Sequence, residues 1–268
     1  HYIVAVATLE EYRKQGIMGK LLRTSLNDMY DRKEIFTYLM PAAEAIYSPY
    51  NFVTVYEQSH YKYEGNISLV ESINSSFFEL GLAVKASYME TEEAEQVAIF
   101  ANEELGKQYN IFTVHSTSYM TQVLKEQKCQ NGGIVVVKAD SKIIGYFYMA
   151  KENNELIREC IMNPEYEEVQ KIIENHLEQV DKTKIMIRPI HVEQFLNTMI
   201  VDKKLGTEIC VKDPIIERNT GVYKVCEIEG IYGFIKVEDE IPEGEVYTIE
   251  DLVKRLVINQ KILLNEIV

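Results

Sequence analysis

Arg13, Lys14, Gly16 and Ile17 stand where an apolar run meets an amphipathic stripe, and this junction is the part of the sequence best suited to chemistry. Residues 2–7, rich in valine and alanine, read as a buried strand. Residues 9–15 are a polar turn, after which Met18, Leu21, Leu22, Leu26 and Met29 recur at three- and four-residue steps, the stripe of a helix. Backbone N–H groups in the first turn of such a helix lack intrahelical partners and can hold an anion such as a pyrophosphate. Gly16 would let the backbone approach closely, and Arg13 and Lys14 would add positive charge. On these residues alone, a solvated turn is the stronger reading.

The other reactive residue types are scattered. Cys129, Cys160, Cys210 and Cys226 contain no C-x-x-C pair, and the five histidines show no H-E-x-x-H or other ligand spacing, so no metal is expected. Widely spaced thiols in or near strands point to a cytoplasmic protein. The formal charge of −14 disfavours a nucleic-acid surface and would steer cationic small molecules or lysine-rich segments toward the chain, although acidity also simply maintains solubility. No apolar run reaches 18 residues, so neither a spanning helix nor membrane association is expected. The amino terminus lacks the basic region of a signal peptide and reads as a strand cut from its predecessors.

The elements that must position the junction fall into three expected segments. In residues 1–83, the first strand, the helix and a second strand at 35–40 form a β-α-β unit with parallel pairing, followed by a helical piece at 42–47 and a strand from 52. Residues 84–183 predict helices over 90–105 and 116–128 and a hairpin of 133–138 with 143–150 around Asp140-Ser141. A strand over 156–160 and a helix over 166–180 complete that segment. Residues 184–268 predict a strand over 185–188, a helix from His191, strands over 208–211, 221–229 and 232–236, a helix over 249–257 and a last strand over 262–268. The fold class is thus α/β in the first two segments and α+β in the third.

The stretch from Val6 to Leu22 resembles the coenzyme A signature of the GNAT acetyltransferases, R/Q-x-x-G-x-G/A. Arg13-Lys14-Gln15-Gly16 fits its first four positions, and Met18 departs from the sixth. The longer pattern V-A-T-x-x-x-Y-R-x-x-G-I-M-x-x-L-L, of the enhanced-intracellular-survival (Eis) branch, is carried nearly whole. A second block, Tyr38-Leu39-Met40-Pro41 through Ile46-Tyr47 to Tyr50-Asn51-Phe52, is similar to that branch's L-M-P-A-x-x-x-I-Y-x-x-Y-G-F. Asn51 stands where glycine is usual, and Asn tolerates a positive φ.

The resemblance implies N-acetyl transfer from acetyl-CoA to a primary amine: an aminoglycoside-like polycation, another polyamine or a lysine side chain. By it, Val6 and Thr8 would bind the pantetheine arm through their backbone, and Arg13, Lys14, Gly16 and Ile17 the pyrophosphate. The second parallel strand would splay from the first to admit the thioester. Tyr47 would be the general acid toward the departing thiolate. Val268 would bring its terminal carboxylate to the substrate amine, although a carboxyl with an ordinary pKa of about 3.5 is a weak base. Without the resemblance, Tyr47 is one core ring among 18 tyrosines. The three segments would be the end of a cofactor-binding GNAT domain, a second GNAT-like domain without a cofactor loop, and a sterol-carrier-protein-like domain. Family members begin with further strands and helices ahead of the position of His1, and they assemble as homo-oligomers, commonly hexamers. A non-catalytic acyl-CoA or lipid-binding protein is the alternative.

Overall fold

The computed structural model describes residues 1–151, 155–199, 206–228, 231–237, 245–258 and 260–264. The elements in chain order are α1 (Ile17–Asp31), β1 (Phe36–Leu39), α2 (Glu44–Tyr47), β2 (Val53–Tyr63), α3 (Leu69–Glu79), β3 (Val84–Tyr88) and α4 (Ala94–Gln108). They continue with β4 (Ile111–Phe112), α5 (Thr117–Cys129), β5 (Gly133–Ala139), β6 (Lys142–Lys151), β7 (Glu155–Met162), α6 (Glu167–Glu174) and β8 (Glu178–Pro189). The last are α7 (Val192–Met199), β9 (Glu208–Lys212), β10 (Gly221–Ile228), β11 (Ile231–Val237), β12 (Val246–Thr248), α8 (Ile249–Leu256) and β13 (Ile262–Leu263).

Two compact units divide the chain. The first comprises His1–Glu57 with Lys184–Gln260, and the second Gln58–Thr183 with Lys261–Val268. Most of the first expected segment, residues 1–57, thus shares a unit with most of the third, residues 184–260. The reason is a common core: Leu22, Leu26 and Met29 of α1 cluster with Leu39, Tyr47, Phe52, Met186, Ile190, Ile215 and Ile216. An antiparallel ladder from Phe36↔Pro189 to Leu39↔Met186 joins β1 to the end of β8. The same unit holds a sheet in the order β11-β10-β9-β12, antiparallel except for the parallel β9–β12 pair. The apolar stripes of α7 (Phe195, Leu196) and α8 (Leu252, Val253) are fully buried.

In the second unit, β6 is buried along nearly its whole length between β5 and β7. Beyond β5 lies β3, where Asn74 of α3 donates to the Ala86 carbonyl and accepts from the Ala86 N–H, both at 2.8 Å. That side chain occupies backbone groups that an edge strand would otherwise leave unpaired. The hairpin between β5 and β6 turns at Asp140 and Ser141, with φ of 47° and 71°, the paired left-handed conformation that suits the strand twist.

Several expectations are corrected. Residues 2–7 form no ladder: Tyr2 makes a single parallel bridge to Tyr38, with Ile3 N donating to Tyr38 O at 2.9 Å. Ala5 has φ 55°, which breaks the extended run, and Val4 and Val6 are exposed rather than buried. The helix expected over 166–180 ends at Glu174, and Val180 at its expected end faces solvent. Residues 178–189 are instead one strand, β8. The elements α3, β3, β4 and β12 were not anticipated. Of the strand expected over 262–268, Ile262–Leu263 pair parallel to β4, and residues 265–268 lie outside the described residues.

Ser141 sits where glycine is least strained, so Ser141→Gly should stabilise the fold by about 1 kcal/mol. Thermal unfolding should then show a midpoint raised by about 2–4 °C; a lowered midpoint would mean that the turn does not hold Ser141 in the left-handed region.

Candidate active site

The junction singled out in the sequence is a closed turn. Tyr12 N donates to Leu9 O at 3.0 Å, and Arg13 Nε donates to the Thr8 carbonyl at 3.1 Å. Lys14 (φ 61°) and Gly16 (φ 72°) are both left-handed, and Gly16 is the residue that precedes α1. A Cβ at Gly16 would meet no atom within 4 Å, so the position demands glycine for its φ and not for lack of space. No side chain caps α1, a helix of 15 residues, and its first N–H groups face outward with the positive end of its dipole.

A cleft of about 530 Å³ lies between residues 2–9 and α1. Val6, Thr8 and Ile17, all expected to touch the cofactor, line it together with Met18 and Leu21. Arg13, Lys14 and Gly16 form the turn that carries the chain from Thr8 to Ile17. The parallel contact between the first segment and β1 ends after the single bridge at Tyr2.

Tyr47 closes α2 and is buried, with its ring edge-on to Phe52 at 6.0 Å between centroids. Burial pushes its phenol pKa above the ordinary 10, which keeps it protonated at neutral pH. It is not a wall of the cleft, but Leu22 and Met29, which are, belong to the same core cluster. Asn51 takes φ 63°, the left-handed geometry for which it was expected to stand in for glycine. Val268 lies outside the described residues, as does any geometry for its carboxylate.

Residues 1–55 match the family model described as "Acetyltransferase (GNAT) domain". Curated proteins give no sequence match. Among solved structures, a GCN5-related N-acetyltransferase from Kribbella flavida is 11% identical, with all of this chain and 80% of that one covered at a TM-score of 0.70. A probable N-acyltransferase from Enterococcus faecalis V583 is 13% identical, over 100% and 81% of the two chains, at 0.68. Eis1 from Mycobacterium abscessus is 11% identical, over 96% and 72%, at 0.59.

The fold is that of the GNAT acetyltransferases. The junction has what an anion such as a pyrophosphate would need: an uncapped helix start, open space at Gly16, and two exposed cations. The groups that hold the Tyr47 turn were not evident in the sequence. Glu44, three residues before Tyr47, accepts from Lys184 Nζ at 2.6 Å and from the Thr54 hydroxyl, and these partners lower its pKa. Arg188, read only as part of a strand, is fully buried and donates through Nε to the Tyr50 carbonyl at 2.8 Å. No sequence pattern marks either pairing, because each joins positions more than 130 residues apart. Among the described residues no group of His, Cys, Asp or Glu could hold a metal ion, and no helix is long and apolar enough to cross a membrane.

Gly19 tests how tightly α1 meets the Tyr47 turn, since a Cβ there would come within 2.2 Å of the Tyr50 hydroxyl. Gly19→Ala should destabilise the native chain by about 1–3 kcal/mol. In a Tyr50→Phe background the same change should stabilise by up to about 1 kcal/mol, the ordinary helix preference. Chemical denaturation of the four proteins reads this sign reversal, and equal effects in both backgrounds would contradict the contact.

Proposed function

We propose that this chain is an N-acetyltransferase that moves an acetyl group from acetyl-CoA to a primary amine. The observation that carries this reading is the uncapped start of α1, presented by left-handed Lys14 and Gly16 beside an apolar cleft, within the stretch that matches the GNAT domain. Bound acetyl-CoA would supply an activated thioester. Arg13, Lys14, Gly16 and Ile17 would bind its pyrophosphate, and the backbone of Val6 and Thr8 its pantetheine arm.

The amine nitrogen attacks the thioester carbonyl, a C–N bond forms, and the C–S bond breaks. Tyr47 then gives its proton to the departing thiolate, a role suited to a phenol that burial keeps protonated. The proton lost by the amine passes to water or to the terminal carboxylate of Val268, which the Eis resemblance puts forward as the group that orients the ammonium. The acceptor is a primary amine: an aminoglycoside-like polycation, another polyamine or a lysine side chain. The charge of −14 favours their approach at low ionic strength. The Eis resemblance also supports a cytoplasmic homo-oligomer, a cofactor-free second GNAT-like segment over 84–183 and a sterol-carrier-like segment over 184–268.

Incubation of the full chain with acetyl-CoA and spermidine should release free thiol in proportion to acetylated amine. Tyr47→Phe should lower kcat by about 100-fold or more. Because the acid must be protonated, kcat should decline only as pH rises past the ordinary phenol value of 10. Binding of acetyl-CoA with no thiol released in the presence of any of these amines, together with an unchanged Tyr47→Phe protein, would favour the non-catalytic carrier instead.

A further inference from the structure

We infer that the buried Arg188–Asp213 pair is a positioning device for the proposed acid, holding the turn that carries Tyr47 from two sides at once. The inference rests on the acetyltransferase reading given above and concerns residues that neither the sequence motifs nor that mechanism uses.

The turn needs an external hold. Residues 44–50 form one turn of α-helix followed by a short 3-10 turn, and neither has a side-chain cap. A helical piece of this length has little stability of its own. After it the chain reverses through left-handed Asn51 into Phe52, whose ring packs on Tyr47. The carbonyl just before the reversal, that of Tyr50, accepts from Arg188 Nε at 2.8 Å.

Each guanidinium nitrogen has a partner. Its Nη1 donates to the Pro189 carbonyl at 2.6 Å, and its Nη2 to both Asp213 oxygens at 2.8 and 3.0 Å. Asp213 Oδ1 also accepts from the backbone N–H groups of Ile215 and Ile216, at 2.9 and 3.0 Å. Asn219 Nδ2 donates to Asp213 Oδ2 at 2.9 Å. The aspartate thereby fixes the loop whose Ile215 and Ile216 side chains lie in the Tyr47 core cluster. One face of the pair grips the backbone of the turn, and the other sets the apolar groups packed in the cluster with its tyrosine.

The attraction between the two charges gives by itself little reason for such a pair, because apolar residues of similar volume often replace a buried ion pair at no loss. What they cannot do is donate to the Tyr50 carbonyl or accept from the two isoleucine N–H groups. The pair's distinctive contribution is therefore geometry, and general-acid catalysis is sensitive to displacements of about 1 Å.

The test is a double-mutant cycle on kcat in the full chain, with spermidine as acceptor and CoA affinity measured by calorimetry. Arg188→Lys keeps a charge for Asp213 but loses the fork that also reaches Tyr50. We expect CoA affinity within about threefold of the original and kcat lowered on the order of 10- to 100-fold. In a Tyr47→Phe background, Arg188→Lys should lower kcat by less than about twofold, because a positioning group matters only through the group it positions. Arg188→Met combined with Asp213→Leu is the second variant, chosen to keep the fold if the lysine protein does not; it should show the same loss and the same dependence on Tyr47. Equal losses with and without Tyr47, or full kcat in the apolar-pair protein, would overturn the positioning role alone. Full kcat in Tyr47→Phe itself would overturn both this role and the mechanism on which it rests.

Discussion

A guanidinium with no exposed surface must find a partner for each of its nitrogens, and Arg188 finds them in Asp213, Pro189 and Tyr50. Burial pulls its pKa down, while the adjacent carboxylate opposes that shift and holds the charge in place. Removing one partner would leave a buried charge uncompensated, at a cost of about 3–5 kcal/mol. The requirement draws positions 50, 188 and 213 together and helps make residues from the two ends of the sequence one folding unit. The common core around Leu26, Leu39 and Tyr47 is closed by Met186, Ile190, Ile215 and Ile216, so the candidate acid sits among side chains of both sequence regions.

The junction before α1 obeys a different constraint. There the backbone conformation matters more than packing: Gly16 is left-handed with open space around it, and the helix behind it starts without a cap. A side chain that capped α1 would satisfy the same N–H groups that an anion needs. Capping boxes do close α3 (Ser68 with Glu71) and α8 (Thr248 with Asp251).

Local signals were legible in the sequence. The stripe from Met18 to Met29 gave α1, the Asp140-Ser141 pair gave the β5–β6 hairpin, and Asn51 was recognised as a left-handed residue. Each depends only on neighbours within a few residues. The failures share the opposite property. Residues 2–7 were read as buried because they are apolar, but burial depends on what lies alongside, and Val4 and Val6 are exposed. The helix expected over 166–180 overran its end, whereas strand pairing takes residues 178–189. Arg188 and Asp213 look like ordinary surface charges, and only the tertiary fold makes them partners.

The central claim is that acyl-CoA is held at the junction between Thr8 and Ile17, and amide hydrogen exchange reads it most directly. Saturating CoA added to the full chain should slow exchange at the backbone N–H groups of residues 13–18, the turn and the first residues of α1. Unchanged exchange across that stretch while CoA is bound, or protection centred elsewhere in the chain, would contradict the account.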